Sequence, residues 1–352
     1  MRRVGHLEVY KLTLTTQGVL FIGSGAKYMK NSYLFDDGTK TVTFIREDQF
    51  YPWLLRAGKA DAYEQFILGG DPQDLKNFLA QCGISQADLE NLIRYQVNAG
   101  EALVQDRSLQ EISAFLRDAQ GRAYIPGSSL KGALRTVLLT QAIGRDPKRK
   151  QLGEKEKIPE ERYLHSLHLS SQKQDAVNSI LRGLSVSDSH FIPDTSMILA
   201  RKWDLRADGK ISSPNLVREC IAPGTTITFQ LTIDRSIIKY DLVAELRNAI
   251  RFFDSYYLEH FFSPFSKHAI DVPKTPFLVL GGGSGFFSKT VIYPYLGYED
   301  ALKWVSSKLS KSFGQRHHGS DEEKYKISPH CMKYTMFRGK MWGFGVCGVE
   351  II

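Results

Sequence analysis

Apolar residues alternate with polar ones at the start of the chain, which is the pattern of a half-buried β-strand. We predict this strand over residues 7–14, with one break in the alternation near Lys11. A turn of small residues follows at 23–25. Two further β-rich runs, 32–35 and 41–45, flank an Asp-Gly pair, and this arrangement is typical of a β-hairpin.

The spacing of apolar residues becomes helical after about residue 47. Segments 74–82 and 86–97 carry apolar side chains at helical spacing, and Ser85 is a suitable N-cap for the second of them. We therefore predict a helical insertion over about 47–118. Further helices are predicted by the same criterion at about 129–142, 241–262 and 299–309.

The remaining elements are short strands and polar loops. Strands are predicted at 184–188, 197–203, 225–233, 277–280 and 344–352. The charged run 145–157 and the polar run 315–326 are predicted to be exposed loops. The fold class is therefore α+β, with one unit over 1–212 that contains the insertion and a second over 213–352.

Composition narrows the class of protein. The chain has 352 residues, of which 42% are hydrophobic, and a net charge of +8, so it can bury a core and favours a polyanionic partner. Its four cysteines are far apart, which argues against a zinc ribbon or a disulfide scaffold. No run approaches the roughly 18 apolar residues of a membrane span. We expect a cytoplasmic protein with no membrane partner.

A helix start with basic residues is the first candidate site. In the segment 125–136, Ser128 or Ser129 can cap the helix, while Lys131 and Arg135 share one face of it. The free N–H groups of a helix start can bind a phosphate. An ordinary capped amphipathic helix with solvated charges explains the same pattern, and both interpretations stay open.

The second candidate is a glycine-rich run before a Ser-Lys-Thr triplet. Gly283 and Lys289 have the spacing of a P-loop, but Ser288 occupies the position of its second glycine, which argues against ATP hydrolysis. The better prediction is a flexible loop in which Gly282, Gly283, Gly285 and Lys289 follow a sugar–phosphate backbone. A purely structural turn is the alternative.

A third candidate follows the first strand. Gly23, Ser24, Gly25 and Lys27 precede Tyr28, and basic residues beside an aromatic ring suit a single-stranded nucleic acid. A plain loop explains the run equally well.

The histidines give weaker patterns. His165 and His168 share a helical spacing without a nearby acidic or cysteine ligand, and His318 lies in a polar loop not far from His330. The acidic residues are scattered, and no G-x-S-x-G motif is present. We therefore predict no metal site, no cofactor and no catalytic residue.

Taken in their order along the chain, the three glycine and basic segments resemble those of the RAMP superfamily of CRISPR proteins. The chain length and the segment 328–335 are similar to the family formed by the fifth subunits of type III-A Csm effector complexes. The resemblance extends over about 6–55, 120–140, 184–235 and 275–352.

That resemblance implies two RRM-like (ferredoxin-like) modules, with the helical insertion in the first. It implies a subunit that binds the 3′ part of the CRISPR RNA (crRNA), caps the filament of repeated backbone subunits and supports crRNA maturation in antiviral defence. It also hints that host nucleases that trim the RNA 3′ end dock here. The implied RNA contacts are Gly23, Ser24, Gly25, Lys27, Ser128, Ser129, Lys131, Arg135, Gly282, Gly283, Gly285, Lys289 and Lys333.

Two departures from the family pattern bear on catalysis and binding. The related backbone subunit cleaves target RNA with an aspartate after its first glycine turn, whereas residues 23–32 contain no acidic residue. The pair His330-Cys331 stands beside the final basic segment where polar or basic residues are expected. A non-catalytic RNA binder is thus predicted. The alternative is a metal-independent CRISPR RNA endoribonuclease that uses His6 or His268.

Overall fold

The computed structural model describes residues 1–69, 74–103, 109–149, 158–268, 270–314 and 318–352. The strands are β1 (Arg2–Val4), β2 (Leu7–Thr16), β3 (Gly23–Tyr28), β4 (Tyr33–Asp36), β5 (Thr41–Ile45), β6 (Ile93–Asn98), β7 (Ile112–Phe115), β8 (Leu184–Val186), β9 (Met197–Arg201), β10 (Trp203–Arg206), β11 (Ile211–Ser212), β12 (Val217–Ile221), β13 (Thr226–Asp234), β14 (Phe277–Val279), β15 (Cys331–Phe337), β16 (Lys340–Gly343) and β17 (Val346–Ile351). The helices are α1 (Glu47–Arg56), α2 (Ala60–Leu68), α3 (Leu75–Cys82), α4 (Gln86–Leu92), α5 (Gly127–Arg145), α6 (Glu161–Leu164), α7 (Leu242–Tyr257), α8 (Ile292–Leu296) and α9 (Tyr298–Phe313).

Strand β2 lies at the centre of the first sheet, whose order is β14-β17-β2-β13-β8 with β1 paired to β2. All of its pairs are antiparallel, and Leu14 lies opposite Ile227 on one side and Val349 on the other. The alternation that predicts β2 and β13 from the sequence is confirmed. Strands from both sides of residue 212 are hydrogen-bonded in this sheet, while the division into two units at that residue stays a prediction.

Helices α5 and α7 pack against each other, and they contact β8 and β14 of this sheet. The apolar stripe of α7 is buried, and the Asp241 carboxylate caps its first turn by accepting a hydrogen bond from the Ala244 N–H at 3.0 Å. Both helices occur where the apolar spacing predicts them. The burial of two apolar stripes against one sheet, at about 25 cal/mol per Å², supplies much of the hydrophobic stabilisation here.

The second sheet has the order β3-β7-β12-β9-β6-β5-β4. Its β4–β5 hairpin confirms the prediction from the Asp-Gly pair, with Tyr33 opposite Phe44. A third sheet, β11-β10-β15-β16, pairs Asp204 of β10 with Lys333 of β15. These two sheets carry five of the thirteen candidate site residues, in β3 and β15.

The helices α1–α4 bury their own apolar cluster, which includes Phe50, Trp53 and Phe78. The predicted helix over 86–97 is wrong in its second half, because α4 ends at Leu92 and residues 93–98 form β6. The reason is that Tyr95 and Val97 are buried while their neighbours are exposed, a period of two that pairs β6 with β5. Strand β7 likewise replaces predicted helix.

The structure describes the two predicted polar loops only in part. Residues 150–157 and 315–317 lie outside the described residues. Residues Asp321–Tyr325 form a single helical turn rather than an exposed loop, and Asp321 is completely buried. Among the helices that the structure describes, none is both long and apolar enough to cross a membrane.

Candidate nucleic-acid interface

Two of the three predicted segments meet at one backbone contact. We call residues 281–285, which follow β14, the glycine loop. The Gly282 N–H donates to the Phe21 carbonyl oxygen at 2.7 Å, two residues before Gly23. The predicted turn at 23–25 is wrong, because these residues begin β3, where Gly23 pairs with Phe115 of β7. A Cβ atom on Gly281, whose φ is +81°, would lie 2.3 Å from the Phe21 carbonyl oxygen. Only glycine permits this direct packing of two backbone segments.

Serine hydroxyl groups form hydrogen bonds within and just after the glycine loop. Ser284 donates to the Gly281 carbonyl at 3.1 Å, and its Oγ lies 2.8 Å from that of Ser288, which in turn donates to the Gly285 carbonyl. Helix α8 begins only at Ile292, after Lys289. A P-loop places its lysine at the start of the helix, so this geometry agrees with the sequence in arguing against a P-loop here.

Exposed residues of β3 and one lysine of β15 lie around the glycine loop. Residues 23–27 are all exposed, and the Lys27 Nζ pairs with the Glu111 carboxylate at 3.0 Å. Lys289 is exposed as well. The Lys333 side chain lies 3.9 Å from the Cβ position of Gly285. We call residues 23–27, the glycine loop, Lys289 and Lys333 the glycine face.

The start of α5 has a different environment from the one expected. The N-cap is Pro126, not Ser128 or Ser129, which lie within the first turn. The Gly127 N–H donates to the Asp188 carboxylate at 2.8 Å, so a protein anion already occupies the end of the helix dipole. A phosphate there would compete with this carboxylate.

The two basic residues of α5 also have protein partners. The Lys131 Nζ donates to the Leu184 carbonyl at 2.7 Å, and the Arg135 guanidinium pairs with the Glu160 carboxylate. Burial lowers the pKa of both Lys131 and Arg135. RNA contacts at this helix stay a prediction.

The sequence analysis missed two basic residues beside the glycine face. Arg218 of β12 lies between the rings of Phe21 and Phe344, with its Cζ 5.2 and 5.7 Å from their centroids. Lys202, just before β10, pairs with the Asp204 carboxylate at 3.3 Å. No pattern marks Arg218 in the sequence, since it lies beside Glu219 in a short strand of mixed character.

His318 and His330 come together around a buried carboxylate. Their Nδ1 atoms lie 2.9 and 2.7 Å from the two oxygens of Asp321, and the Ser328 hydroxyl donates to one of these oxygens at 2.7 Å. We call these four residues the Asp321 cluster. Among the described residues, His318, Asp321 and His330 form the one group of three whose atoms could hold a metal ion, and here they lie at hydrogen-bond distances.

The hydrogen bonds determine the charges in this cluster. Burial alone would raise the pKa of Asp321, but hydrogen bonds from His330, His318 and Ser328 outweigh it and lower that pKa. Burial alone would lower the pKa of His330, but its hydrogen bonds to Asp321 and Cys331 raise it to about 9. A buried aspartate and a protonated His330 therefore stabilise each other near neutral pH.

Three other histidines have local partners. His6 lies 3.8 Å from the Asp234 carboxylate, and the His268 Nε2 lies 3.3 Å from the Ala207 carbonyl. The His165 Nδ1 lies 2.9 Å from the Lys173 carbonyl. None of these three contacts favours the endoribonuclease alternative.

Similar proteins from three bacterial species share one name. The chain is 26% identical to a protein of Mycobacterium tuberculosis named "CRISPR system Cms protein Csm5", over 98% of both chains. Proteins of the same name from Streptococcus thermophilus and Enterococcus italicus are 28% and 27% identical, over about 80% and 97% of each chain. These names match the fifth-subunit family that the sequence resembles.

Solved structures show the same fold. A chain from a cryo-EM structure of a Csm–crRNA–target RNA ternary complex superposes with a TM-score of 0.69 at 16% identity, covering 97% of this chain and 100% of that one. The crystal structure of Csm5 from T. onnurineus gives a TM-score of 0.57 at 15% identity, with 96% and 99% covered. The model of the RAMP superfamily matches residues 13–274. The chain therefore belongs to the RAMP superfamily, as the glycine and basic segments predict.

Proposed function

We propose that this chain is a non-catalytic crRNA-binding subunit of a type III-A CRISPR (Csm) interference complex. In this role it caps the filament of backbone subunits at the crRNA 3′ end and supports crRNA maturation in the cytoplasm. The names of its relatives, and the Csm–crRNA–target RNA complex that contains a chain of the same fold, support this assignment.

The meeting of Gly282 with Phe21 is the observation that carries the proposal. It joins the exposed residues 23–27 and the half-buried glycine loop, about 260 residues apart in the chain, into one face with lysines on its border. A guide RNA has a variable sequence, so its binding surface must contact phosphates and sugars rather than base edges. Glycine backbone and lysine ammonium groups meet that need without base selectivity.

The proposed RNA contacts divide into two groups. The glycine face supplies Gly23, Ser24, Gly25, Lys27, Gly282, Gly283, Gly285, Lys289 and Lys333. The start of α5 supplies the second, weaker group, Ser128, Ser129, Lys131 and Arg135, whose two cations must leave protein partners to reach an RNA.

We also propose that the first sheet belongs to an RRM-like module. Along the chain, β2, α5, β8, β13, α7 and β17 follow the order β-α-β-β-α-β, and the sheet order β17-β2-β13-β8 agrees with a split βαβ arrangement. The second sheet would then belong to the other module, with α1–α4 inserted between its strands.

Purification of the tagged chain from its host, with sequencing of the bound RNA, tests the function. We expect crRNA, other Csm subunits and RNA 3′ ends that change when the chain is deleted. The double variant Lys289→Ala/Lys333→Ala should retain the protein partners but recover less crRNA. Its control, Lys303→Ala/Lys311→Ala, removes two exposed lysines from α9 and should recover as much crRNA as the wild type.

Two outcomes would contradict the proposal. Recovery of neither crRNA nor Csm subunits would exclude an effector subunit. Cleavage of repeat RNA by the purified chain in EDTA, abolished by His6→Ala or His268→Ala, would instead establish the endoribonuclease alternative.

A further inference from the structure

The guanidinium of Arg218 is held in place without an anionic partner. Its Nη1 is buried and donates no hydrogen bond to any described residue, and no described carboxylate forms an ion pair with Arg218. The rings of Phe21 and Phe344 fix its position from two sides. A buried, unpaired donor on a cation is costly, and an arriving anion would remove that cost.

The same guanidinium lies directly against the glycine loop. A Cβ atom on Gly283, whose φ is +82°, would lie 2.9 Å from the Arg218 Nη1. Glycine at this position therefore lets the loop backbone pack against the guanidinium. Any side chain here would collide with the guanidinium and be strained by its backbone conformation.

Two lysines increase the positive charge around Arg218. Lys333 and Lys202 both pair with the Asp204 carboxylate, at 2.7 and 3.3 Å respectively. Within the described ranges, Asp204 is the one carboxylate that pairs with either lysine. Burial lowers the pKa of Lys202, and the charges of Lys333 and Arg218 lower it further. Three cations therefore lie close enough to repel one another, with one carboxylate between them.

We propose that Arg218, Lys202 and Lys333 form a single phosphate-binding site beside Gly283 and Gly285 of the glycine loop. Its ligand is a phosphate ester, and the view that RNA supplies this ester rests on the function proposed above. A phosphate brings the negative charge that the three cations lack and accepts hydrogen bonds from the unpaired guanidinium, which suits arginine because of its planar, forked donors.

The adjoining cavity leaves no room for a buried base. It is lined by Gly285, Lys333 and Phe344 among others and has a volume of about 30 Å³, which is room for little more than a water molecule. The cavity therefore adds no base-selective pocket beside the proposed site.

The variant Arg218→Gln of the full chain tests this site. Its control is Arg122→Gln, because Arg122 also lies over an aromatic ring, Phe191, but already pairs with the Asp118 carboxylate. We expect Arg218→Gln to lower the affinity for single-stranded RNA roughly tenfold for all sequences. The slope of log affinity against log salt should fall by about 0.7, the value of one phosphate contact on a single strand. Arg122→Gln should change neither quantity.

Thermal unfolding with inorganic phosphate gives a readout that does not depend on RNA. Phosphate should raise the Tm of the wild type and of Arg122→Gln but leave that of Arg218→Gln unchanged. Without phosphate, Arg218→Gln should be at least as stable as the wild type, since it removes an unpaired buried donor. A purely structural Arg218 would instead destabilise the fold when replaced and leave phosphate and RNA binding intact, which would overturn the site.

The two readouts separate the site from the proposed function. If the wild type binds crRNA and Arg218→Gln binds it equally well, the site is wrong and the function stands. If the wild type binds no crRNA but its Tm responds to phosphate only when Arg218 is present, the site stands and the function fails.

RNA oligonucleotides ending in a 3′-hydroxyl or a 3′-phosphate distinguish the source of the bound phosphate. Equal affinity for the two oligonucleotides indicates that the site binds an internal phosphodiester. Tighter binding of the 3′-phosphate form indicates that it binds the RNA end.

Discussion

The backbone N–H of Gly282 and the carbonyl oxygen of Phe21 are joined by a hydrogen bond of 2.7 Å. This bond fixes the distance between the glycine loop and the start of β3, and both segments belong to the proposed RNA interface. The integrity of the interface therefore depends on how closely these two backbones approach each other.

Gly281→Ala should disrupt this approach. The new Cβ would overlap the Phe21 carbonyl and also be strained by a φ of +81°. We expect a loss of roughly 3 kcal/mol in the free energy of unfolding, together with weaker RNA binding. Urea denaturation measures the first effect. Gly224→Ala, with a φ of +85° but open space around the Cβ, is the control and should lose only about 1 kcal/mol.

The double variant Lys131→Ala/Arg135→Ala tests the contribution of α5 to RNA binding. Since both side chains already have protein partners, we expect it to lose less RNA affinity than Lys289→Ala/Lys333→Ala. Titration of fluorescent RNA at several salt concentrations compares the two. An equal or larger loss of affinity, equal for all sequences, would make the helix start a principal phosphate contact.

Arg117→Met should be strongly destabilising. The Arg117 Nη2 donates to the completely buried Glu219 carboxylate at 2.5 Å. The Phe115 N–H donates to the same carboxylate. Removing the arginine leaves a buried carboxylate without its cation, which costs about 3–5 kcal/mol. Adding Glu219→Gln should recover part of this loss in chemical denaturation. No recovery would show that Arg117 acts through its packing on Tyr95.

The Asp321 cluster should make stability depend on pH. Because the pKa of His330 is raised to about 9, its contribution is complete below its ordinary value near 6.5 and is lost as the pH rises through about 9. The lowered pKa of Asp321 adds a contribution that is lost on acidification. We expect the free energy of unfolding to fall between about pH 6.5 and 9.

Asp321→Asn provides the test of that pH dependence. The variant should be less stable at pH 6.5 and should show a smaller fall toward pH 9 than the wild type. His268→Asn, which replaces a histidine held by a backbone carbonyl, should keep the wild-type slope. If the free energy of unfolding of Asp321→Asn falls toward pH 9 as steeply as that of the wild type, the Asp321 cluster does not bind the proton whose loss lowers the stability.

The regular elements were predictable where one period dominates the sequence. Strand β13 alternates without interruption, and α7 carries a continuous apolar stripe, so both appear in the sequence as they do in the fold. Residues 93–98 were predicted wrongly because α4 directly precedes β6, and a few apolar positions fit both periods. Tertiary pairing with β5 decides between them.

The candidate site was predictable only in part, and for a different reason. Glycine segments are visible in a sequence, so the glycine loop and residues 23–25 could be named, but their contact depends on strand order. The partners Asp188 and Glu160, which engage α5, lie too far along the chain to be inferred. Arg218 and Asp321 each stand beside other charged residues, and only the fold shows that the Arg218 Nη1 and the whole of Asp321 are buried.

The order of the first sheet has a consequence for synthesis of the protein. Its central strand, β2, begins at residue 7, whereas its two neighbours β13 and β17 begin at residues 226 and 346. At about 5–20 residues per second, the ribosome needs roughly 10–40 s after making β2 before β13 emerges. During that time residues 10–16 of β2, which β1 does not pair with, have both edges unpaired and are open to aggregation or to chaperones. The sheet closes only after most of the polypeptide has left the exit tunnel.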